Sequence, residues 1–304
     1  MTNSKLVVAT IAALSLTASN AFAQDEGGDE EGGVEATGSV ETGDGTVEGE
    51  GAVAVTPPEG GEDMEAAAPM GMTVPKGKID VTVVVGLNLG ESAIAKPISI
   101  LPDIFYGVGP KLDVGLAHSN HALTGFWADG LGGGLCLSGE DNGCGKVYNG
   151  PVGLLAHFGL SDGSVSLAAD GGVVIASLSD PMQLGVKLGV DGMKMSGKLA
   201  IGFKPNIYIG LTERDSGNKE TLNVPVDVMY MASDKLGVGV QTGITGPLDG
   251  FGDFYSIPVS IGAMFKANDN LSVGGSFNLL RVAGFEGPGA ADIRTLSLFV
   301  DWHN

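Results

Sequence analysis

Basic residues are scarce in this sequence: 16 Lys and Arg face 36 Asp and Glu in 304 residues, a formal net charge of −20 at pH 7. A chain so short of bases has no footprint for neutralising phosphates, which excludes a nucleic-acid binder. Charged residues make up only 17 % of the chain, below the roughly 25 % of soluble domains. The 43 % apolar content is nevertheless too high for a chain disordered throughout. No apolar run reaches the ~20 residues of a membrane-spanning helix. Neither a P-loop nor a strand-to-helix dinucleotide fingerprint is present, and no cofactor is implied. What abounds is glycine, 51 residues without a Gly-X-Y period, which excludes collagen and favours a glycine-tolerant β architecture.

Three regions differ in composition. Residues 1–23 read as a secretory signal, with Lys5 as the positive n-region, Leu6 to Ala18 as the apolar core and Ala21-Phe22-Ala23 before the cleavage point. No cysteine follows the cleavage point to carry a lipid anchor. Residues 24–76 hold 14 acids and no base before Lys76, so they cannot bury enough apolar surface to offset the entropy of ordering. They read as a disordered acidic tether, with a spacer or weak cation-binding arm as its functional options. Residues 77–304 carry the remaining 22 acids and 14 bases.

From Ile79 the chain alternates with a period of two. Ile79, Val81, Val83, Val85, Leu87 and Leu89 are interleaved with Asp80, Thr82, Gly86 and Asn88. The same pattern returns at Leu222–Tyr230, Leu271–Leu279 and Leu296–Trp302. Successive strand side chains point to opposite faces, so each segment has one apolar and one small or polar side. A soluble sandwich would carry Lys, Glu and Arg on its second face. Here that face is Gly, Ser, Thr and Asn, which suits a confined lumen, with the apolar side turned to lipid. Tyr255 and Phe265 bound one such segment ten residues apart, about 25 Å along the membrane normal for a tilted strand, the height of an apolar band with aromatic edges.

Short turns are expected at Gly109-Pro110-Lys111, Ser161-Asp162-Gly163, Lys204-Pro205-Asn206, Ser233-Asp234 and Asn268-Asp269-Asn270. Longer connections fall around 90–97, 119–149, 177–182, 212–221, 246–253 and 284–292. Eleven connections give twelve strands, with both ends on the short-turn side. The register conflict is at 182–203, where Leu184 to Val190 occupy even positions but Leu199, Ile201 and Phe203 odd ones. A bulge in one long strand would reconcile them, and ten or fourteen strands stay open.

On these residues the chain resembles the bacterial outer-membrane β-barrel proteins as a class, porin- and transporter-like. The resemblance covers 77–304 and implies an all-β fold: a single closed antiparallel transmembrane barrel behind a disordered acidic segment. It implies the bacterial outer membrane as location, with its lipid and the barrel-assembly machinery as partners. The class pattern ends in a terminal aromatic, whereas here Trp302 is followed by His303-Asn304.

The two cysteines, Cys136 and Cys144, share the longest loop, and secretion favours a disulfide between them over a metal site. Four histidines (His118, His121, His157, His303) come with no Gly-x-Ser-x-Gly elbow on a strand-to-helix turn, so no enzyme is expected. Strand parity points Asp80, Asp113, Asp170, Lys187, Lys198, Lys204, Asp227 and Asp301 into the lumen and Tyr255, Phe265 and Trp302 to the membrane edges. The lumen charges could form a selectivity ring or a mutually satisfied plug. Small inward residues such as Gly86, Ser260 and Gly262 tip the reading toward passive passage of small solutes. A closed structural barrel with interacting loops and a secreted soluble β protein are the alternatives.

Overall fold

The computed structural model describes residues 72–90, 96–131, 133–138, 148–178, 180–285, 289–290 and 292–304. The expected signal segment, all but the last residues of the acidic tether, and Cys144 with its pairing to Cys136 lie outside them. The strands are β1 (Ile79–Asn88), β2 (Ile98–Gly109), β3 (Leu112–Ala117), β4 (Gly134–Cys136), β5 (Tyr148–Asn149), β6 (Val152–Asp162), β7 (Ser166–Ser177) and β8 (Gln183–Ser196). They continue with β9 (Leu199–Phe203), β10 (Asn206–Gly210), β11 (Thr221–Met231), β12 (Leu236–Pro247), β13 (Ser256–Asn268), β14 (Leu271–Gly284) and β15 (Arg294–His303). Two four-residue helices, α1 (Asn120–Leu123) and α2 (Phe251–Phe254), lie in the longer connections.

Every pairing between strands is antiparallel, and β1 closes the sheet on itself: Thr82 stands opposite Asp103 of β2 on one side and Asp301 of β15 on the other. β9 and β10 occupy one position between β8 and β11. Phe203 faces Gly192 and Val226, Asn206 faces Gly189 and Asn223, and the register runs on without a shift. Pro205, lacking an N–H, interrupts that strand without ending it. With β9 and β10 counted once and the small β4–β5 hairpin set aside as an extension on β2, the barrel is closed by 12 strands.

The expected turn at Lys204-Pro205-Asn206 is therefore corrected, as is the bulge meant to rescue 182–203. β8 runs unbroken to Ser196 and turns at Gly197-Lys198, where Gly197 takes φ +57, a left-handed conformation that glycine adopts without a Cβ clash. Across that turn Leu199 falls opposite Ser196 and Ile201 opposite Lys194. Opposed residues share a face, so the even positions of β8 and the odd positions of β9 both point outward. One short turn replaces another, and the strand count survives.

The outer face is apolar along every long strand, with Ile104, Leu154, Val173, Leu188, Val228 and Val300 exposed. Tyr106, Phe158, Tyr230, Phe265 and Trp302 are also exposed. All five fall near the ends of strands that enter the short turns, so aromatic rings encircle that rim. Tyr255 sits at the opposite rim, just before β13, its ring stacked on Phe251 at 6.2 Å between centroids.

Val173 lies mid-strand on the outer face between Leu154 and Val186. A charge there faces hydrocarbon at depth, so Val173→Arg is expected to lower unfolding free energy in liposomes by ~2–4 kcal/mol, with Val173→Leu close to neutral. Urea titration followed by heat-modifiable gel migration measures both, and equal midpoints would mean that this face does not meet lipid.

Candidate functional site

The first part of the longest connection enters the barrel. After β3 the chain turns inward, and residues 118–131 cross the lumen. Asp103 of β2 anchors the entry, accepting bonds from the backbone N–H groups of His118 (2.6 Å) and Ser119 (2.9 Å) and from the Ser119 hydroxyl. Ser119 then caps α1 by accepting from the Ala122 N–H at 3.1 Å. Leu123 at the end of α1 packs into an apolar cluster inside the barrel with Phe105, Ala117, Leu155 and Val174. Irregular backbone at membrane depth must have its polar groups satisfied by protein, and the inner wall does this step by step. Lys187 Nζ donates to the Ala122 carbonyl (2.6 Å) and Asn206 Nδ2 to that of Thr124 (2.8 Å). Gln241 binds twice, donating to the Gly125 carbonyl (3.0 Å) and accepting from the Trp127 N–H (2.7 Å). The Ser297 hydroxyl accepts from the Asp129 N–H at 3.0 Å. The segment ends against β1, where a Cβ on Gly86 would lie 2.5 Å from the Gly130 nitrogen and Gly130 holds φ +113. Glycine at both positions lets the two backbones touch.

The crossing segment divides the interior unequally. On the β2–β3–β6–β7–β8 side the space is filled by the apolar cluster and by a row of buried charge: Asp113, His157 and Asp170 lie side by side, with Lys187 paired to Asp170. Residues 72–76 also enter here; the Val74 N–H donates to Asp113 Oδ2 at 2.7 Å. On the opposite side a cavity of about 400 Å3 remains between the crossing segment and the short-turn rim. Trp127 and Asp129 of the segment, Val84 of β1 and Phe299 of β15 line it together with Met72, Met193, Met229 and Met264. Charge enters through Asp227, Asp301 and Lys204, with the His121 ring beside them. Asp227 occupies the space that a side chain at Gly202 would take, its carboxylate oxygens 2.7 Å from that Cβ position. Lys204 pairs with Asp191 (3.7 Å) and donates to His121 Nε2 (3.2 Å). The Lys204 ammonium beside it pushes the His121 pKa down.

No protein-family model and no curated sequence matches the chain. Among solved structures, the COG4313 outer membrane channel from Pseudomonas putida F1 superposes with a TM-score of 0.52 at 14 % identity, over 76 % of this chain and 97 % of that one. The NanC porin gives 0.49 at 9 % identity, over 73 % and 98 %, and the KdgM porin 0.45 at 9 %, over 73 % and 98 %. The fold is that of an outer-membrane β-barrel.

In this outer-membrane barrel the residues expected to line the lumen separate into four groups. Asp227, Asp301 and Lys204 border the cavity. Asp113, Asp170 and Lys187 are buried in the filled half, at 1 %, 5 % and 3 % exposure, where they meet protein rather than a solute path. Asp80 lies at the short-turn end of the wall, its carboxylate near those of Asp301 and the His303 ring. Lys198 is a correction: it belongs to the β8–β9 turn and is exposed outside the lumen, because the chain reverses at Gly197-Lys198 rather than at Pro205. His118 Nδ1 contacts the Pro102 carbonyl at the start of the crossing segment.

Taken only as a longer connection, 119–149 does not reveal Trp127 as a lumen residue, and strand parity alone does not single out Gln241 or the methionines. The available sign was the composition of 122–137, which carries Phe126, Trp127 and four leucines with Asp129 as its lone charge, an unusual make-up for a solvated loop.

Burial, with the nearby Asp103 adding to it and the bond from the Asn120 N–H opposing it, pushes the Asp129 pKa from 3.8 up to about 7. The seated segment thus retains a proton that a released one gives up. Its seat is firmest below about pH 4, weakens as pH climbs toward 7, and is level above. In a Trp302→Phe background, acrylamide quenching of Trp127 is expected to rise across that window and to lose its pH dependence in Asp129→Asn. A flat wild-type profile would refute the linkage.

Proposed function

We propose that the protein resides in the bacterial outer membrane and gives passive passage to small solutes through the open half of its lumen. The cavity beside the crossing segment carries this reading, since a purely structural barrel has no need of a 400 Å3 space bordered by both apolar and charged side chains. The fold shared with outer-membrane channels supports it, and the aromatic short-turn rim is suited to lipid headgroup depth. Outer-membrane lipid and the barrel-assembly machinery are then its partners.

Two features bear on what passes. Met193, Met229, Met264, Trp127 and Phe299 make much of the cavity wall apolar and adaptable, which suits solutes with an apolar part better than sugars. Asp227 and Asp301 against Lys204 tilt the local field toward cations. The constriction is the crossing segment, and Gln241 is its double-bonded support.

A second reading is a closed barrel that transports nothing. The dense seating of 118–131 and the apolar cluster in half the lumen favour it. Planar-bilayer recording separates the two. Passage requires small discrete conductance steps in the wild type, larger steps in Gln241→Ala, and a shift from cation toward anion preference in Asp227→Lys. Silence of the wild type at all voltages, with no liposome swelling, would leave the closed barrel standing.

A further inference from the structure

We infer that His157 Nε2, Asp170 Oδ1 and the Asp191 carboxylate form a binding site for a first-row divalent cation of the zinc type. The row belongs to the filled half of the lumen, so the inference is independent of whether anything passes through the other half. His157 Nδ1 lies 2.8 Å from Asp113 Oδ1. A carboxylate there can only accept, which places a ring proton on Nδ1 and makes Nε2 the nitrogen through which the ring can bind a cation. Asp113 is itself 1 % exposed and held by the Val74 N–H, so the ring orientation is fixed from behind. This is the carboxylate–histidine arrangement that positions metal-binding imidazoles.

Nε2 faces an acceptor. Asp170 Oδ1 is 3.7 Å from His157 Nε2, is buried, and has no hydrogen-bond partner among the described residues. That gap is too long for a proton to bridge as a hydrogen bond. It fits a shared cation, because bonds of ~2.0–2.2 Å at a tetrahedral angle set two ligand atoms ~3.3–3.6 Å apart. An Asp191 oxygen completes a triad whose donor atoms all lie within 4.8 Å of one another, so closure needs the donor atoms to draw together by up to about an ångström. The second oxygen of Asp170 is occupied by Lys187, which fixes the direction of the first. Around the ring three carboxylates (Asp113, Asp170, Asp191) meet two ammonium groups (Lys187, Lys204). The donor set, one nitrogen and two oxygens with a free position, suits zinc and its neighbours rather than Ca2+.

The full chain, folded in detergent and stripped with EDTA, is titrated with Co2+ as a spectroscopic stand-in for Zn2+. The expected result is one equivalent bound with the visible bands of a low-coordinate site and displaced by Zn2+. Asp113→Asn weakens binding about 10–100-fold, His157→Gln and Asp170→Asn abolish it, and His303→Gln, at the separate rim cluster, leaves it unchanged. X-ray absorption on the wild type with Zn2+ reads the site without any variant and is expected to show imidazole scattering. Absence of a chelator-competing site, an oxygen-only shell, or undiminished binding in folded His157→Gln overturns the inference.

Discussion

Closure is the constraint on which the rest of this structure depends. Hydrocarbon offers no partner to a backbone N–H or carbonyl, so a sheet in lipid must leave no open edge. Here β1 meets that demand by pairing with β2 and β15 at once, Thr82 between Asp103 and Asp301. Closure then dictates the alternation, because each strand must show one face to lipid and the other to the barrel interior. It also explains why Pro205 is tolerated within a strand. Its neighbours Val190 and Lys204 still bond across it, to the carbonyls of Pro205 and Pro225, and the register passes through unbroken.

The interior faces the inverse problem. Residues 118–131 bring loop backbone to membrane depth, and that backbone is satisfied by side chains from several strands. Asp103, Lys187, Asn206, Gln241 and Ser297 each serve one or two main-chain groups of the segment. These inward polar residues are therefore sockets before they are pore lining. Because α1 and its apolar cluster lean to one side, the lumen is not uniformly narrowed. One half is packed around buried charge, and the other keeps a cavity whose walls include four methionines, Trp127 and Phe299. A cavity and a plug thus coexist in one cross-section.

Much of the fold was legible in the residues. Period-two runs such as Ile79–Leu89 and Leu296–Trp302 mark strands and their outward faces, and the contrast of tight turns with longer loops yields the strand count. The reading failed locally at 182–210, where Lys204-Pro205-Asn206 has the composition of a turn but not its role. Proline is a strong turn former in isolation, yet the pairing of β9 and β10 to the same two neighbours overrides it. Gly197, with Lys198, gave the competing sign two residues before the change of parity. The candidate site was legible only in part. Parity placed Asp227, Asp301 and Lys204 on the inner face, but could not tell a residue beside a cavity from one buried against a plug, such as Asp113 or Asp170.

Sequence alone determined the class of structure and the side of each strand that meets lipid, because both follow from local alternation and from the hydrogen-bonding demands of the bilayer. Tertiary structure decided what fills the middle. The inward course of Trp127, the meeting of His157 with Asp170 across adjacent strands, and the gathering of Met72, Met193, Met229 and Met264 around one cavity join residues far apart in the chain. Their contacts depend on barrel curvature and on how one long connection finds its hydrogen-bond partners, and no period along the chain encodes that.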